Sequence, residues 1–496
     1  MLPLSWRQLP MPARCLGARV RVTTIPKPWL RHKPGDFAKP SGSTLVVAEQ
    51  LFPREVMAEA SRLVMATDAS GRPVLQLDQD ADSVDGAPTY EVAWVRNGCY
   101  TNKQLADIFR PSVETRLLPL IRRLPELHGM SDADGRRLVL CEALLRMYRE
   151  GERRVVPAHY DSDALVTAVV EIDCSSSAAA SQPEGGLRAS GFNGPGFYVQ
   201  EGAHVSSRRP VRLAPGDVAA HSYDLQHGVD VRAGQRCSVI FWFSDSAVSC
   251  ASKARPWYER SAAEGDPDAQ YNLGCLLLTA STAARPADSA RGLALLRDAA
   301  AQGHFVAQNR LAHELLSLGR GAEAEAKAEA EAVELWEASA VAGYHRAMQS
   351  LAGHHRAQGR SAEALRWHTL AAEQRADPRV MFSLGELLYR GAEGQEANPA
   401  AARRWVREAA EMGQPDAQLL MGELAPDAEV EGWLLKASQN GSVRATVKLG
   451  RLYVHGWQGA KLLSLVVTWW RRIRHTSSTQ DAASLPQICF HEGSSR

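Results

Sequence analysis

Apolar residues change their period partway along the chain. Between residues 164 and 243 they fall in short runs and alternations of period two. Residues 165–172 are rich in β-branched side chains, and candidate strands follow at 196–200, 210–213, 217–221 and 237–243. Turn formers separate them, as in Ala214-Pro215-Gly216-Asp217 and Arg232-Ala233-Gly234-Gln235. Short strands at this spacing predict an antiparallel sandwich or barrel. The Ser-, Ala- and Gly-rich stretch 175–194 predicts a mobile insertion between two of them. Upstream, residues 51–56 open an amphipathic helix with Pro53 at its first turn, and 108–127 carry apolar positions three and four apart, the pattern of a second helix. Residues 138–148 fit a strand or a helix.

After about residue 249 the strand signals vanish and Ala, Leu, Glu and Arg dominate. Here the chain repeats itself. Anchors stand at Gly265, Gly303, Gly343, Ala376, Gly413 and Gly441, at intervals of 38, 40, 33, 37 and 28 residues. Four residues after each comes Ala269, Ala307, Ala347, Val380, Ala417 or Ala445, and eight after comes Leu273, Leu311, Leu351, Leu384, Met421 or Leu449. Trp257, Trp405 and Trp433 each lie eight residues before an anchor. This is the signature of paired helices. The glycine ends one helix, the small residue lets the next approach, and the leucine and tryptophan fill the groove. A single pair cannot bury its apolar face alone; stacked pairs can. The Ala- and Glu-rich stretch 322–334 predicts one lengthened helix.

Composition narrows the class without naming a function. The 496 residues are 45% hydrophobic and 23% charged, with 57 Lys and Arg against 56 Asp and Glu. So even a balance disfavours a nucleic-acid-coating role. No run is long and apolar enough to span a bilayer; the best candidate, 462–470, is interrupted by Ser464 and Thr468. The eight cysteines form no CxxC pair and are expected to be reduced thiols. The first 35 residues carry seven Lys or Arg, no acid and several prolines, which predicts a disordered leader, with a transit peptide as the alternative. An intracellular, soluble protein is expected. Trp469-Trp470-Arg471-Arg472-Ile473-Arg474 could form an amphipathic cap, a membrane-surface patch or a frayed end.

Candidate chemistry centres on His159-Tyr160-Asp161. In an extended segment, residues i and i+2 share a face, so His159 and Asp161 can present a nitrogen and an oxygen to one point. His227 follows a β-type segment and Arg236 stands nine residues later. Two neutral nitrogens and one hard oxygen suit a facial iron(II) site with open positions. A guanidinium suits bidentate capture of a carboxylate, and Ser238 lies on the same strand face as Arg236. His221, six residues before His227, is the competing ligand. A zinc hydrolase could use the same three ligands but would leave Arg236 unexplained.

Together with Tyr148-Arg149-Glu150-Gly151, Gly196-Phe197-Tyr198 and Pro215-Gly216-Asp217, these residues resemble the prolyl 4-hydroxylase-like 2-oxoglutarate/Fe(II) dioxygenase domain over about 51–246. The repeats resemble Sel1-like, tetratricopeptide-related repeats over about 255–456. The resemblances imply a multidomain α+β chain: a double-stranded β-helix (jelly roll) with flanking N-terminal helices, then an α-solenoid of helix-pair repeats. The expected parts are a leader at 1–45, a dioxygenase domain at 46–250, the repeat array at 251–460 and a tail at 461–496. The resemblances also imply Fe(II) held by His159, Asp161 and His227. They imply 2-oxoglutarate held by Arg236, with Ser238 and Tyr148 beside it, O2 as co-reactant and ascorbate as reductant. The expected product is a hydroxylated protein side chain, peptidyl-proline included, or a hydroxylated small molecule, with the array recruiting a protein substrate or partner. The alternative is an inactive oxygenase acting as an interaction scaffold.

Overall fold

The computed structural model describes residues 6–8, 19–27, 42–70, 73–82, 84, 86–149, 152–174, 192–194, 196–280, 286–318, 322–391 and 396–455. Most of the predicted insertion, Glu150-Gly151 and the tail 461–496 lie outside them. The described chain is mixed α+β: an antiparallel sheet region followed by a helical array.

A ten-stranded sheet places Val20–Pro26, Gly42–Ala48, Val218–Ser222, Val166–Ile172, Arg236–Ser244, Val139–Tyr148 and Pro88–Arg96 side by side in that order. A four-stranded sheet runs Arg208–Pro210, Gly196–Gln200, His227–Asp230, Val155–His159. From residue 139 onward the chain passes back and forth between the two. The open question at 138–148 resolves as the Val139–Tyr148 strand.

Strand alternation sorts the central strands into two faces. Val166, Ala168, Val170 and Ile172 pack with Cys237, Val239, Phe241 and Phe243 and with Met57, Val64, Leu105 and Phe109 of the preceding helices. The opposite face carries Val169 and Ile240, which meet Phe197 and Val199 of the small sheet. Thr167, Glu171, Arg236 and Ser238 share that inner parity. All seven residues of Val166–Ile172 are buried because both faces are covered. The polar ones among them therefore need partners inside the protein.

Two expectations fail. Val20–Pro26 is not disordered leader: it pairs with Gly42–Ala48 along its whole length and buries Val20 and Ile25. Lys27, which follows it, is buried between Asp224 and Asp268. The cysteines are not all thiols either. Cys141 of the Val139–Tyr148 strand is bonded to Cys250 of the Ala247–Ser252 helix, 109 residues away. The disulfide closes that helix onto the sheet just before the array begins.

Six helix pairs make up the described array, from Pro256–Ala263 with Pro267–Ala280 to Asp427–Gln439 with Val443–His455. The anchors fall at the turn within each pair. Gly265, Gly303, Gly343, Gly413 and Gly441 all have positive φ, and in the fourth copy Arg375, just before Ala376, takes that conformation instead. The residues four and eight after the anchors are all buried. The lengthened helix is Ala322–Val341, at 20 residues. Among the described residues no helix is long and apolar enough to cross a membrane.

The turns of the array face the sheets. Tyr223 donates to Asp266 at 2.9 Å, Tyr160 meets His304 at 3.2 Å, and Arg154 N–H donates to the Met412 carbonyl at 3.3 Å. A Cβ on Gly343 would collide with His204, and one on Gly413 with the Glu152 backbone. The ridge of the solenoid is therefore packed against the strand domain of the same chain.

Candidate metal centre

His159 ends the Val155–His159 strand and His227 begins the His227–Asp230 strand, which are neighbours with these two residues in register. Pairing puts the rings 4.5 Å apart. Asp161, two residues beyond His159, brings its carboxylate to both: 3.6 Å from His159 Nε2 and 3.4 Å from His227 Nε2. One ligand atom from each of the three lies within 4.8 Å of the others, and no other such group occurs among the described residues.

Each ligand is oriented by a second contact. His159 Nδ1 lies 2.9 Å from the Pro157 carbonyl and His227 Nδ1 lies 3.1 Å from the Leu225 carbonyl. A carbonyl only accepts, so each Nδ1 holds the ring proton and each Nε2 keeps its lone pair toward the centre. Thr167 donates to Asp161 Oδ2 at 2.6 Å, which fixes the carboxylate plane. Burial pushes the Asp161 carboxyl up, but His227 and His159 outweigh it and hold the group well below the usual carboxylate range. Burial also disfavours charge on His227, yet Asp161 raises it above the ordinary imidazole value. Two nitrogens and an oxygen converging this closely, at a partly exposed position, fit a divalent cation of intermediate hardness.

His221 is brought to His227, with rings 4.2 Å apart, but stays outside the triad. Its Nδ1 meets the Ser222 carbonyl at 3.0 Å, and burial lowers its pKa to about 3. It sits on the large sheet, and its Nε2 is buried with no hydrogen-bond partner.

Arg236 lies at the opposite end of the inner face. In register, Trp242 faces Thr167 whereas Ser238 faces Glu171. Arg236 and Ser238 are both buried, and Arg236 Nη1 donates to Ser238 Oγ at 3.2 Å. That contact tips the guanidinium along its strand toward the metal end. Tyr148 pairs with Arg236 across the sheet, and its ring centre is 5.8 Å from the guanidinium carbon. The three residues assigned to a cosubstrate are thus together. A fourth group was missed: Glu171 Oε1 accepts from Arg236 Nε at 2.8 Å. The one signal for it was an acid at an inward-facing position of an otherwise apolar strand.

A second missed cluster lies behind the ligands. Tyr160 points away from the triad to His304, whose Nε2 is 3.3 Å from Asp268 Oδ1. Asp268 binds Lys27 Nζ at 2.5 Å, and Lys27 reaches Asp224 at 3.1 Å. Asp224 also accepts from Ser222 in the loop that leads to His227. The segments carrying all three ligands are thereby tied to the first two repeats.

No family model matches the chain, and no curated protein does. Among solved structures, a Sel1 repeat protein from Oxalobacter formigenes is similar over 41% of this chain at 27% identity, with a TM-score of 0.35. This chain covers 60% of that protein's length. A 2OG-Fe(II) oxygenase family oxidoreductase from Burkholderia pseudomallei is similar over 41% of this chain and 86% of its own, at 18% identity and a TM-score of 0.26. A Pseudomonas putida prolyl-4-hydroxylase covers 40% of this chain and 91% of its own, at 16% identity and a TM-score of 0.25. The neighbours thus include both Sel1-repeat proteins and 2OG-Fe(II) oxygenases.

Proposed function

We propose that this chain is an Fe(II)- and 2-oxoglutarate-dependent dioxygenase that hydroxylates a protein or small-molecule substrate. The observation that carries the reading is the convergence of His159 Nε2, His227 Nε2 and the Asp161 carboxylate on one point, with a buried guanidinium on the same inner face. The alternation of strands between two sheets supports a double-stranded β-helix as the frame. When bound, Fe(II) supplies dioxygen activation coupled to conversion of 2-oxoglutarate to succinate and carbon dioxide. Ascorbate is the reductant expected to keep the metal Fe(II).

The chain's own residues have distinct tasks in this reading. His159, Asp161 and His227 hold the metal and leave its remaining positions open. The Pro157 and Leu225 carbonyls and the Thr167 hydroxyl keep the ligands aimed. Arg236, Ser238 and Tyr148 receive the far end of the cosubstrate. Phe197, Val199 and Val169 exclude water between the sheets.

Recruitment of a protein substrate, peptidyl-proline among the candidates, falls to surfaces of the array other than its turn ridge, which the barrel already covers. A scaffold with an inactive barrel is the second reading; the intact triad with its oriented nitrogens speaks for the first. The test is succinate release from 2-oxoglutarate by the full chain with Fe(II) and ascorbate over a panel of peptides. Release that depends on Asp161 supports the enzyme. Metal binding with no succinate from any substrate favours the scaffold.

A further inference from the structure

Among the described residues, each helix that closes a pair is packed by the helix that opens the next, and only the last, Val443–His455, lacks such a neighbour. Gly274, Gly385, Gly422 and Gly450 each stand nine residues after an anchor, on the closing helices of their pairs. The first three let the next helix approach closely. A Cβ on Gly274 would come within 3.1 Å of Leu296, and one on Gly385 or Gly422 within 2.6 Å of Val406 or Leu434. A Cβ on Gly450 meets nothing within 4 Å among the described residues. Val443 and Val447 share the stripe of Gly450, at i, i+4 and i+7, and are 61% and 46% exposed. Leu419, the counterpart of Val447 one repeat earlier, is 5% exposed and packs with Leu434.

The helices that cover the other three glycines share a pattern. Leu296, Val406 and Leu434 each follow a large apolar residue, Leu295, Trp405 or Trp433. Four residues before them stands Gly292, Ala402 or Val430, and three after them Ala299, Ala409 or Ala437. These positions, i, i+3, i+4 and i+7, make one helix face. Downstream of Gly450, a tryptophan is followed by an apolar residue only at Trp469-Trp470, in a segment outside the described residues. In that register Val466 and Ile473 take the two remaining positions. The distance along the chain also matches. Leu296, Val406 and Leu434 follow their glycines by 22, 21 and 12 residues, and Trp470 follows Gly450 by 20.

We propose that the open face of Val443–His455 is a docking surface for residues 466–473 of the same chain, with Trp470 seated over Gly450 beside Val447. The array then runs past residue 460 and closes with half a repeat. Arg471 and Arg472 fall opposite the apolar positions, which gives the end of the solenoid the polar outer face it needs in water. The segment follows the exposed helix directly, so covering that face costs less entropy than recruiting a second chain.

The experiment is hydrogen exchange of the full chain, read by mass spectrometry, with a synthetic peptide of residues 462–476 as the unprotected reference. In the monomeric wild type, the amides of 466–473 should exchange about tenfold or more slowly than in the peptide. Trp470→Asp should return them to the peptide's rate and speed exchange of Val443–His455 about tenfold, with Pro267–Ala280 unchanged. Gly450→Trp fills the slot without meeting any other described residue, so it should release 466–473 in the same way. Exchange of 466–473 at the peptide's rate in the wild type overturns the proposal, even if neither variant folds. So does a folded Gly450→Trp chain in which that segment keeps its protection. Protection that arises only as the chain dimerises on concentration, or only with phosphatidylglycerol vesicles, gives the segment a different partner and overturns the proposal as well.

Discussion

Two polar clusters flank the single segment His159-Tyr160-Asp161. On the inner side, His159 and Asp161 meet His227 to form a compact triad with one open centre. On the outer side, Tyr160 meets His304, Asp268 and Lys27, which are drawn from two repeats and the N-terminal strand region. The inner cluster exposes lone pairs to a shared point, whereas the outer one uses its polar atoms on one another. The first is arranged to bind something; the second holds the part that binds. Strand alternation makes the division possible, since i and i+2 look inward while i+1 looks out.

The largest expected effect falls on the outer cluster. Asp268→Ala leaves Lys27 buried beside one acid instead of two and should cost about 3–5 kcal/mol of stability, read as a lower urea midpoint. A surface-like loss of under about 1 kcal/mol would mean that the seam is not a structural unit. Next is the disulfide. Cys141→Ser opens a loop closed across 109 residues and should cost about 2–4 kcal/mol, with the same loss on adding reductant to the wild type. A melting temperature indifferent to reductant would show that the bond does not form.

On the inner side, Thr167→Val removes the hydroxyl that aims Asp161 and should weaken metal binding about 10–100-fold with little change in melting temperature. A variant that loses stability but keeps its metal affinity would erase the contrast between the clusters. The smallest effect is pH-dependent. Burial holds His345, beside Arg208 of the small sheet, near 3 against an ordinary 6.5. The unfolded chain takes up that proton below 6.5 and the folded chain does not, so stability falls with pH between those values. His345→Leu should recover about 2 kcal/mol at pH 5 relative to its effect at pH 7. Equal effects at both pH values would remove His345 from the acid response.

The inner cluster was largely legible in the sequence and the outer one was not. His-x-Asp announces itself because two ligands share one strand face, and the Arg236 and Ser238 pair follows the same rule. The repeat anchors were readable because five of the six turns share a left-handed glycine and an alanine four positions on. Lys27 gave no such signal: among basic residues and prolines it resembled leader, and only Asp224 and Asp268, nearly 200 residues or more away, explain its burial. His304 follows an anchor glycine like any other post-turn residue. Glu171 sat unremarked in a β-branched strand, and Cys141 and Cys250 carry no local motif. What local periodicity encodes could be read directly; what the docking of the array onto the sheets creates could not.

The central claim is that His159, Asp161 and His227 together hold one divalent metal. It is tested most directly by titrating the full chain with Co(II) and following the ligand-field absorption, alongside His227→Ala and His221→Ala. The account predicts one Co(II) per chain for the wild type, loss of the band in His227→Ala and its retention in His221→Ala. A band that survives His227→Ala and disappears in His221→Ala would contradict it.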